Sequence, residues 1–163
     1  MGLHVTLVYP AIAAAGFACL GKRPRSPETH LIHHGLASLG ASLQAAGHTV
    51  DLIDLRALHG WGAFRRAVRA RQARLWGISV TSPERDIALR CARIVRRMQP
   101  EARIAVGGVH PTVCPQDFDH QPSIDHVIQG EGEIAFVVLA DALARGEDPP
   151  RLQRGQPPDL EQL

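Results

Sequence analysis

Short apolar runs and amphipathic stretches alternate along this chain of 163 residues. Val and Ile dominate the apolar runs, which is typical of strands that are buried on both faces of a parallel sheet. The pattern predicts five such strands, at residues 3–9, 49–55, 73–80, 102–108 and 124–130.

Apolar residues at helical spacing mark the segments between these strands. Leu36, Leu39 and Leu43 share one face of a first helix, which Gly47 is suited to end. Ser82 and Pro83 suit the N-cap and first position of the third helix. The other predicted helix faces are marked by Phe64 and Val68, by Ile87, Cys91, Ile94 and Met98, and by Ile134, Val138, Leu139 and Ala142.

Repeated strand–helix alternation predicts an α/β fold with helices on both faces of a parallel sheet. For a chain of this length, the simplest arrangement is flavodoxin-like (Rossmann-like), with five strands in the order 2-1-3-4-5. After Gly146 the chain becomes rich in Pro, Gln and Asp, which favours a tail or linker. We therefore expect a domain at residues 1–146 and a linker or tail at 147–163.

Composition narrows the cellular setting and the class of partner. The formal net charge is only +2, and the arginines between Arg56 and Arg97 lie mostly on predicted helix faces without aromatic neighbours, which argues against a nucleic-acid partner. Cys19, Cys91 and Cys114 are too far apart for a CxxC metal clip, and so sparse a set is typical of reduced thiols. No signal peptide or membrane span is visible, so we expect a cytoplasmic protein without a membrane partner.

Ligands of open parallel sheets bind beyond the carboxyl ends of the strands. Four predicted loops lie there, at residues 10–29, 81–85, 107–112 and 130–133. The first loop is long for a compact domain, and such loops are usually functional or mobile.

The common ligand motifs of such sheets are absent from these loops. Neither GxGxxG nor a Walker loop follows the first strand, and the acidic residues of a receiver domain and the hydroxyls of a flavodoxin are missing as well. Cys114 near His110 is a weak nucleophile–base pair at best. The remaining glycines, hydroxyls and apolar residues suit a large, mostly neutral ligand. Gly107 and Gly108 either turn the chain or make room for such a ligand.

Two late segments and one early segment carry a family resemblance. The late pair is GGVHPTVCPQDF, at residues 107–118, and IDHVIQGEGEIAFVVLADAL, at residues 124–143; the early segment is GLASLGASLQAAGHTVDLIDL, at residues 35–55. From about Val5 to Leu143, the chain resembles the N-terminal cobalamin (vitamin B12)-binding domain of cobalamin-dependent radical S-adenosylmethionine enzymes.

The resemblance implies which residues contact the cofactor. Tyr9 and Pro10 would face the corrin ring, which would also cover the loop that contains Ser82, and Ser79 and Thr81 would lie beside the benzimidazole of the nucleotide tail. Two further groups would border the groove of the tail: Gly107, Gly108, Val109, His110, Pro111 and Thr112 from the fourth strand, and Gly130, Glu131 and Gly132 from the fifth.

Histidine roles remain open at this point. The D-x-H-x-x-G motif that supplies an axial cobalt ligand in other cobalamin domains is absent, so the resemblance implies a base-off corrinoid without that histidine. His33 or His34 could still reach the cobalt, although solvated imidazoles at a helix start are favoured. For His110, a hydrogen bond to the neighbouring loop or to the nucleotide tail is favoured over cobalt ligation or acid–base catalysis.

The CxxxCxxC motif of the radical enzymes is also missing, and no catalytic residue is predicted in this chain. The resemblance therefore implies that the iron–sulfur cluster and S-adenosylmethionine belong to a barrel domain or partner subunit, which performs methyl transfer or related radical chemistry. The chain would then be a fragment, a split subunit or a free-standing cobalamin module. The alternative is a non-catalytic sensor or protein-interaction module on the same fold.

Overall fold

A parallel sheet of six strands, in the order β2-β1-β3-β4-β5-β6, organises the protein. The computed structural model describes residues 2–10 and 33–155. All neighbouring strands pair in parallel. The strands are His4–Tyr9 (β1), Thr49–Asp54 (β2), Leu75–Ser79 (β3), Arg103–Gly107 (β4), His126–Gln129 (β5) and Leu152–Arg154 (β6). The predicted α/β class and the order of the first five strands are confirmed, but the prediction of five strands was one too few.

Helices cover both faces of the sheet. Helix α1 (His34–Ala45) and helix α5 (Gly132–Ala144) pack side by side on one face, whereas α2 (Gly60–Arg69) and α3 (Arg85–Met98) pack together on the other. The short helix α4 (Val109–Val113) follows β4. Short 3₁₀ turns lie at Leu55–Ala57, Ser82–Glu84 and Pro115–Phe118.

Strand β3 shows how the two cores are separated. Every residue of β3 is buried, and side chains alternate between the two faces of a strand. Trp76 and Ile78 belong to the core beneath α2 and α3, while Leu75 belongs to the core beneath α1 and α5. A strand buried on both faces has the continuous apolar sequence from which it was predicted.

Strand β6 lies inside the segment that was predicted as linker or tail. Its backbone extends the sheet, since the Val127 amide donates to the Arg151 carbonyl at 2.7 Å and the Gly155 amide donates to the Gln129 carbonyl at 2.8 Å. The guanidinium of Arg151 donates to the Phe118 carbonyl at 2.6 Å. Because backbone hydrogen bonds and an arginine hold this strand, its sequence has no regular pattern of apolar residues. The strand could therefore not be predicted from such a pattern. The domain boundary at residue 146 stays a prediction.

Two details at the helices differ from the sequence pattern. Of the residues predicted to mark the buried face of α5, Leu139 and Ala142 are buried, but Ile134 and Val138 are exposed, and Phe136 is buried in addition. Because α5 is apolar on most sides, its sequence does not single out one face. Ser82 begins a 3₁₀ turn capped by Thr81, so it does not itself cap α3. Between residues 33 and 155 and in residues 2–10, no helix is long and apolar enough to cross a membrane.

Candidate functional site

A cavity of about 160 Å³ opens between α1 and α5, above the carboxyl ends of β3, β4 and β5. We call it the α1/α5 cavity. Its floor is formed by the strands and its two walls by the helices with their preceding loops. The floor consists of Gly77, Ile78, Ser79, Gly107, Gly108 and Ile128; one wall of His33, Gly35, Leu36 and Leu39; and the other wall of Gly130, Glu131, Gly132, Glu133 and Phe136.

Glycines in the floor let neighbouring side chains lie close to the backbone of the sheet. A Cβ on Gly77 would lie 2.7 Å from the Phe136 ring and 2.9 Å from Leu7, so glycine is needed for these side chains to pack. A Cβ on Gly107 would meet Ile128 at 3.4 Å, above the neighbouring strand. Gly77 was not among the predicted site residues, although a lone glycine within a buried strand is a known signal of close approach.

Gly108 has a backbone that only glycine adopts readily. Its φ is +108°, and an added Cβ would lie 3.0 Å from the Val80 carbonyl oxygen. The His110 amide donates to that same carbonyl at 3.1 Å, which ties the loop after β4 to the end of β3. Gly108 therefore both turns the chain and lines the cavity.

The Thr112 hydroxyl joins the two glycine loops at the mouth of the cavity. It donates to the Gly108 carbonyl at 2.8 Å and accepts from the Gly130 amide at 3.0 Å. The Gln129 side chain adds a donor to the Thr112 carbonyl at 3.1 Å. Gly130 itself has a φ of +87°. One side chain thus fixes the spacing of the loops that follow β4 and β5.

His110 is buried beneath the loops and does not line the cavity. Its Nδ1 lies 2.9 Å from the Ser82 hydroxyl, and its Nε2 lies 3.1 Å from an Asp117 carboxylate oxygen. A carboxylate only accepts, so Nε2 carries the proton and Nδ1 accepts from Ser82. The ring also meets the edge of Phe118. His110 therefore connects three segments through the Ser82–His110–Asp117 network, and Asp117 was not singled out by its sequence.

His33 is the N-cap of α1 and stands in the cavity wall. Its Nδ1 accepts from the Leu36 amide at 3.1 Å, which places the proton of a neutral ring on Nε2. A protonated Nε2 has no lone pair for a metal, so the observed cap opposes cobalt ligation by His33. His34 is exposed at the start of the helix.

The remaining predicted residues surround the cavity without lining it. Tyr9 is half-buried, its ring contacts His33 at 4.5 Å, and burial, reinforced by the Glu84 carboxylate, raises the pKa of its phenol. Thr81 donates to Glu84 at 2.7 Å. Pro10 and Pro111 are buried, Val109 is 66 % exposed, and Ser82 and Thr112 have the roles described above.

Six of the predicted site residues line the cavity: Ser79, Gly107, Gly108, Gly130, Glu131 and Gly132. The long first loop was predicted at residues 10–29, and all of it except Pro10 lies outside the described residues. The cavity is also lined by residues that were not predicted as cofactor-binding residues. Those are His33 (weighed as a cobalt ligand or a solvated helix-start imidazole), Gly35, Leu36, Leu39, Gly77, Ile78, Ile128, Glu133 and Phe136.

Polarity changes along the cavity from its inner end to its mouth. On β3, Gly77 lies one strand repeat further from the loops than Ser79 does. In the same way, Leu39 lies about one helical turn further along α1 than Gly35, and Phe136 about one turn further along α5 than Glu133. Among residues 2–10 and 33–155, the polar side chains in the wall are His33, Ser79, Glu131 and Glu133, all at or near the mouth. Such a cavity suits an apolar ring that is joined to a polar tether.

Comparison with known proteins agrees with this architecture. The B12 binding domain matches residues 26–140. An anaerobic magnesium-protoporphyrin IX monomethyl ester cyclase of Synechocystis is 32 % identical over an alignment of 132 residues, and the match covers 76 % of this chain and 26 % of the cyclase. A protein of Pyrococcus horikoshii described as an uncharacterized methyltransferase is 31 % identical over an alignment of 116 residues, and the match covers 70 % of this chain and 25 % of that protein.

A solved structure has the same fold. The cobalamin-dependent S-adenosylmethionine radical enzyme OxsB, with aqua-cobalamin and S-adenosylmethionine bound, superposes with a TM-score of 0.70 at 21 % identity. The match covers 88 % of this chain and 19 % of OxsB. This chain thus spans about a quarter of the length of the curated relatives that it matches. Because the family match covers most of the described domain, the chain belongs to the B12-binding domain family.

Proposed function

We propose that this chain binds cobalamin in a base-off form and holds it for a radical S-adenosylmethionine partner domain. The nucleotide tail would enter the α1/α5 cavity, and the corrin would lie over the loops at the carboxyl ends of the strands. The observation that carries the proposal is a cavity with a glycine floor at that edge of the sheet, in a chain of the B12-binding family.

The residues of the cavity fit a nucleotide tail. Its inner end is apolar, where a benzimidazole would replace water, and a ribose would lie at the mouth, beside main-chain groups of the glycine loops and the polar side chains of Ser79, Glu131 and Glu133. Gly107 and Gly108 add no side chains to the floor at the strand ends, whereas Phe136 and Leu7 lie over Gly77 at the inner end. Ser79, 9 % exposed at the end of β3, offers a hydroxyl to the ring nitrogen that is freed when the base leaves cobalt.

Other predicted residues would position the loops around the cofactor. Thr112 would hold Gly108 and Gly130 on opposite sides of the tail, and the Ser82–His110–Asp117 network would fix the loop beneath the corrin. Tyr9 and Pro10 would support the corrin from the end of β1. When bound, the corrinoid supplies cobalt-centred methyl transfer or related radical chemistry.

Cobalt would receive no imidazole from His33 or His110. Both nitrogens of His110 are occupied by Ser82 and Asp117, and the Nδ1 of His33 caps α1. A lower face without a protein ligand agrees with a base-off cofactor whose tail is placed elsewhere, in the cavity.

The path of the chain supports a partner domain next to the site. Strand β6 runs parallel to β5 and brings Gly155 against the Glu131 loop, where a Cβ on Gly155 would lie 1.7 Å from the Glu131 carbonyl oxygen. The chain therefore leaves the sheet at the same edge as the cavity. The matched relatives are about four times longer, and two of their descriptions name a cyclase and a methyltransferase. A cytoplasmic radical enzyme assembled from this domain and a barrel is the setting that we propose.

The test is direct. The purified chain is mixed with hydroxocobalamin, excess is removed, and the visible spectrum of the protein fraction is recorded. Retention of the corrin chromophore in equimolar amount supports the proposal. A colourless protein contradicts it and favours the alternative, a sensor or interaction module that uses the same fold without the cofactor.

A further inference from the structure

We propose that the α1/α5 cavity selects the chemical class of the lower base: it accepts a corrinoid that has a benzimidazole and discriminates against one that has adenine. This inference rests on the proposed function, because it assumes that the tail enters the cavity. It adds a preference for one lower base, which follows from the small number of polar groups in the cavity.

Apolar side chains surround the inner end of the cavity. Leu39 projects from α1, Phe136 from α5 and Ile128 from β5, and the Phe136 ring packs against the backbone of Gly77. Phe136 is 4 % exposed and Ile128 is 1 % exposed, so the surface that they present belongs to the core of the protein. A ring that enters this end loses its water and receives no hydrogen bond from these side chains.

A single buried hydroxyl lies within reach of the ring's polar edge. Ser79 is at the last position of β3, about 6–7 Å along the strand from Gly77 and toward the mouth. The other polar side chains of the wall are His33, whose Nδ1 caps α1, and two glutamates at the start of α5. The cavity therefore offers one hydroxyl to a ring edge that faces the strand ends.

The two bases place different demands on such a surface. Once detached from cobalt, a benzimidazole has a single ring nitrogen without a bond to ribose, and its methyl-bearing edge is apolar. Adenine has several such nitrogens and an exocyclic amino group, and some of these would be buried against Leu39, Phe136 and Ile128 without partners. An unpaired buried donor or acceptor costs its full desolvation, whereas a methyl group buried there is favourable.

The experiment compares three cobalt corrinoids that differ only in the tail: cobalamin, its analogue with adenine as the lower base, and cobinamide, which has no nucleotide. Each is titrated into the full chain, and binding is followed by visible absorbance and by calorimetry. We expect the adenine analogue to bind at least about tenfold more weakly than cobalamin, which corresponds to one buried polar group left unpaired.

The outcomes distinguish failure of the base selectivity, of tail entry into the cavity and of the proposed function. Equal affinity for cobalamin and the adenine analogue, both above cobinamide, overturns the selectivity and leaves the proposed function standing. Equal affinity for all three shows that the tail does not enter the cavity and overturns the inference. Failure to bind any corrinoid overturns the proposed function itself.

A pair of variants localises the effect. Leu39→Gln adds a hydrogen-bonding amide to the wall at a partly buried position, and the preference for benzimidazole should fall about threefold or more as adenine gains a partner. Leu52→Gln is the control, since Leu52 is 54 % exposed on β2 and does not line the cavity. An unchanged preference in a folded Leu39→Gln protein, shown by circular dichroism, would contradict selection by this wall.

Discussion

The hydroxyl of Thr112 accepts a hydrogen bond from the Gly130 amide at 3.0 Å and donates one to the Gly108 carbonyl at 2.8 Å. Gly108 and Gly130 both have positive φ angles, and each begins the connection that follows its strand. A single threonine thereby links the two loops that border the α1/α5 cavity. This link connects the stability of the loops with the shape of the proposed binding site.

Thr112→Val removes the hydroxyl while it keeps the shape of the side chain. The Gly130 amide then loses its acceptor, and we expect a loss of about 1–2 kcal/mol in the free energy of unfolding together with weaker cobalamin binding. Urea unfolding and absorbance titration measure the two effects. Thr112→Ser keeps the hydroxyl and is the control. If Val and Ser variants bind cobalamin equally, the link does not shape the site.

Histidine coordination of cobalt can be excluded spectroscopically. The nitrogens of His33 and His110 are engaged in the protein, and a base-off cofactor without a protein ligand should show no nitrogen superhyperfine splitting in the electron paramagnetic resonance spectrum of its cob(II)alamin form. Splitting that changes when the histidines are labelled with ¹⁵N would instead show a protein imidazole on cobalt. Splitting that is unaffected by the label would show that the benzimidazole had stayed on cobalt, contrary to a base-off form.

His126 should make stability depend on pH. Burial lowers the pKa of its imidazole, and its Nε2 has no hydrogen-bond partner among the described residues. Below the unfolded value of about 6.5, the unfolded chain therefore binds more protons than the native protein, so stability decreases as pH falls from there toward the native pKa. Urea unfolding between about pH 8 and pH 5 measures the slope.

His126→Asn is the variant for this comparison, because its amide can still donate toward the Pro150 carbonyl, which His126 Nδ1 contacts at 3.2 Å. The variant is expected to be less stable at neutral pH but to lose less stability on acidification than the wild-type chain does. Parallel pH profiles for the two proteins would assign the acid sensitivity to other groups.

Gly155 should hold the end of β6 against the cavity loop. An alanine there would place its Cβ 1.7 Å from the Glu131 carbonyl oxygen, an overlap with backbone that no rotamer relieves. We expect Gly155→Ala to detach β6 and to speed amide exchange at Val127, whose N–H donates to Arg151. Gly62→Ala, on the surface of α2, is the control. Unchanged protection of Val127 would show that β6 accommodates the methyl group.

The sequence predicted most of the architecture because buried strands and amphipathic helices leave a periodic apolar pattern. Strands β1 to β5 each have that pattern, whereas β6 depends on backbone hydrogen bonds and on Arg151, which have no period. The exposed Ile134 and Val138 show the same limit, since an almost wholly apolar helix does not reveal its buried face.

The candidate site was predictable only in its loops. Ser79, Gly107 and Gly130 could be selected because they end strands, and the family motifs contain two of them. Leu39 and Phe136 look like ordinary core residues in the sequence, and only the packing of α1 beside α5 brings them to one cavity. The Ser82–His110–Asp117 network was hidden for a similar reason, because Ser82 is far from His110 along the chain.

The central claim is that the α1/α5 cavity holds the nucleotide tail of cobalamin, and Gly132→Leu tests it most directly. Gly132 lines the cavity, and an added Cβ meets no atom within 4 Å, so the backbone leaves room for a side chain, and we expect a leucine there to obstruct the proposed path of the tail. We predict normal stability by urea unfolding and a loss of cobalamin retention of about a hundredfold or more, whereas Gly62→Leu on α2 retains the cofactor normally. Undiminished cobalamin affinity in a folded Gly132→Leu protein would contradict the account.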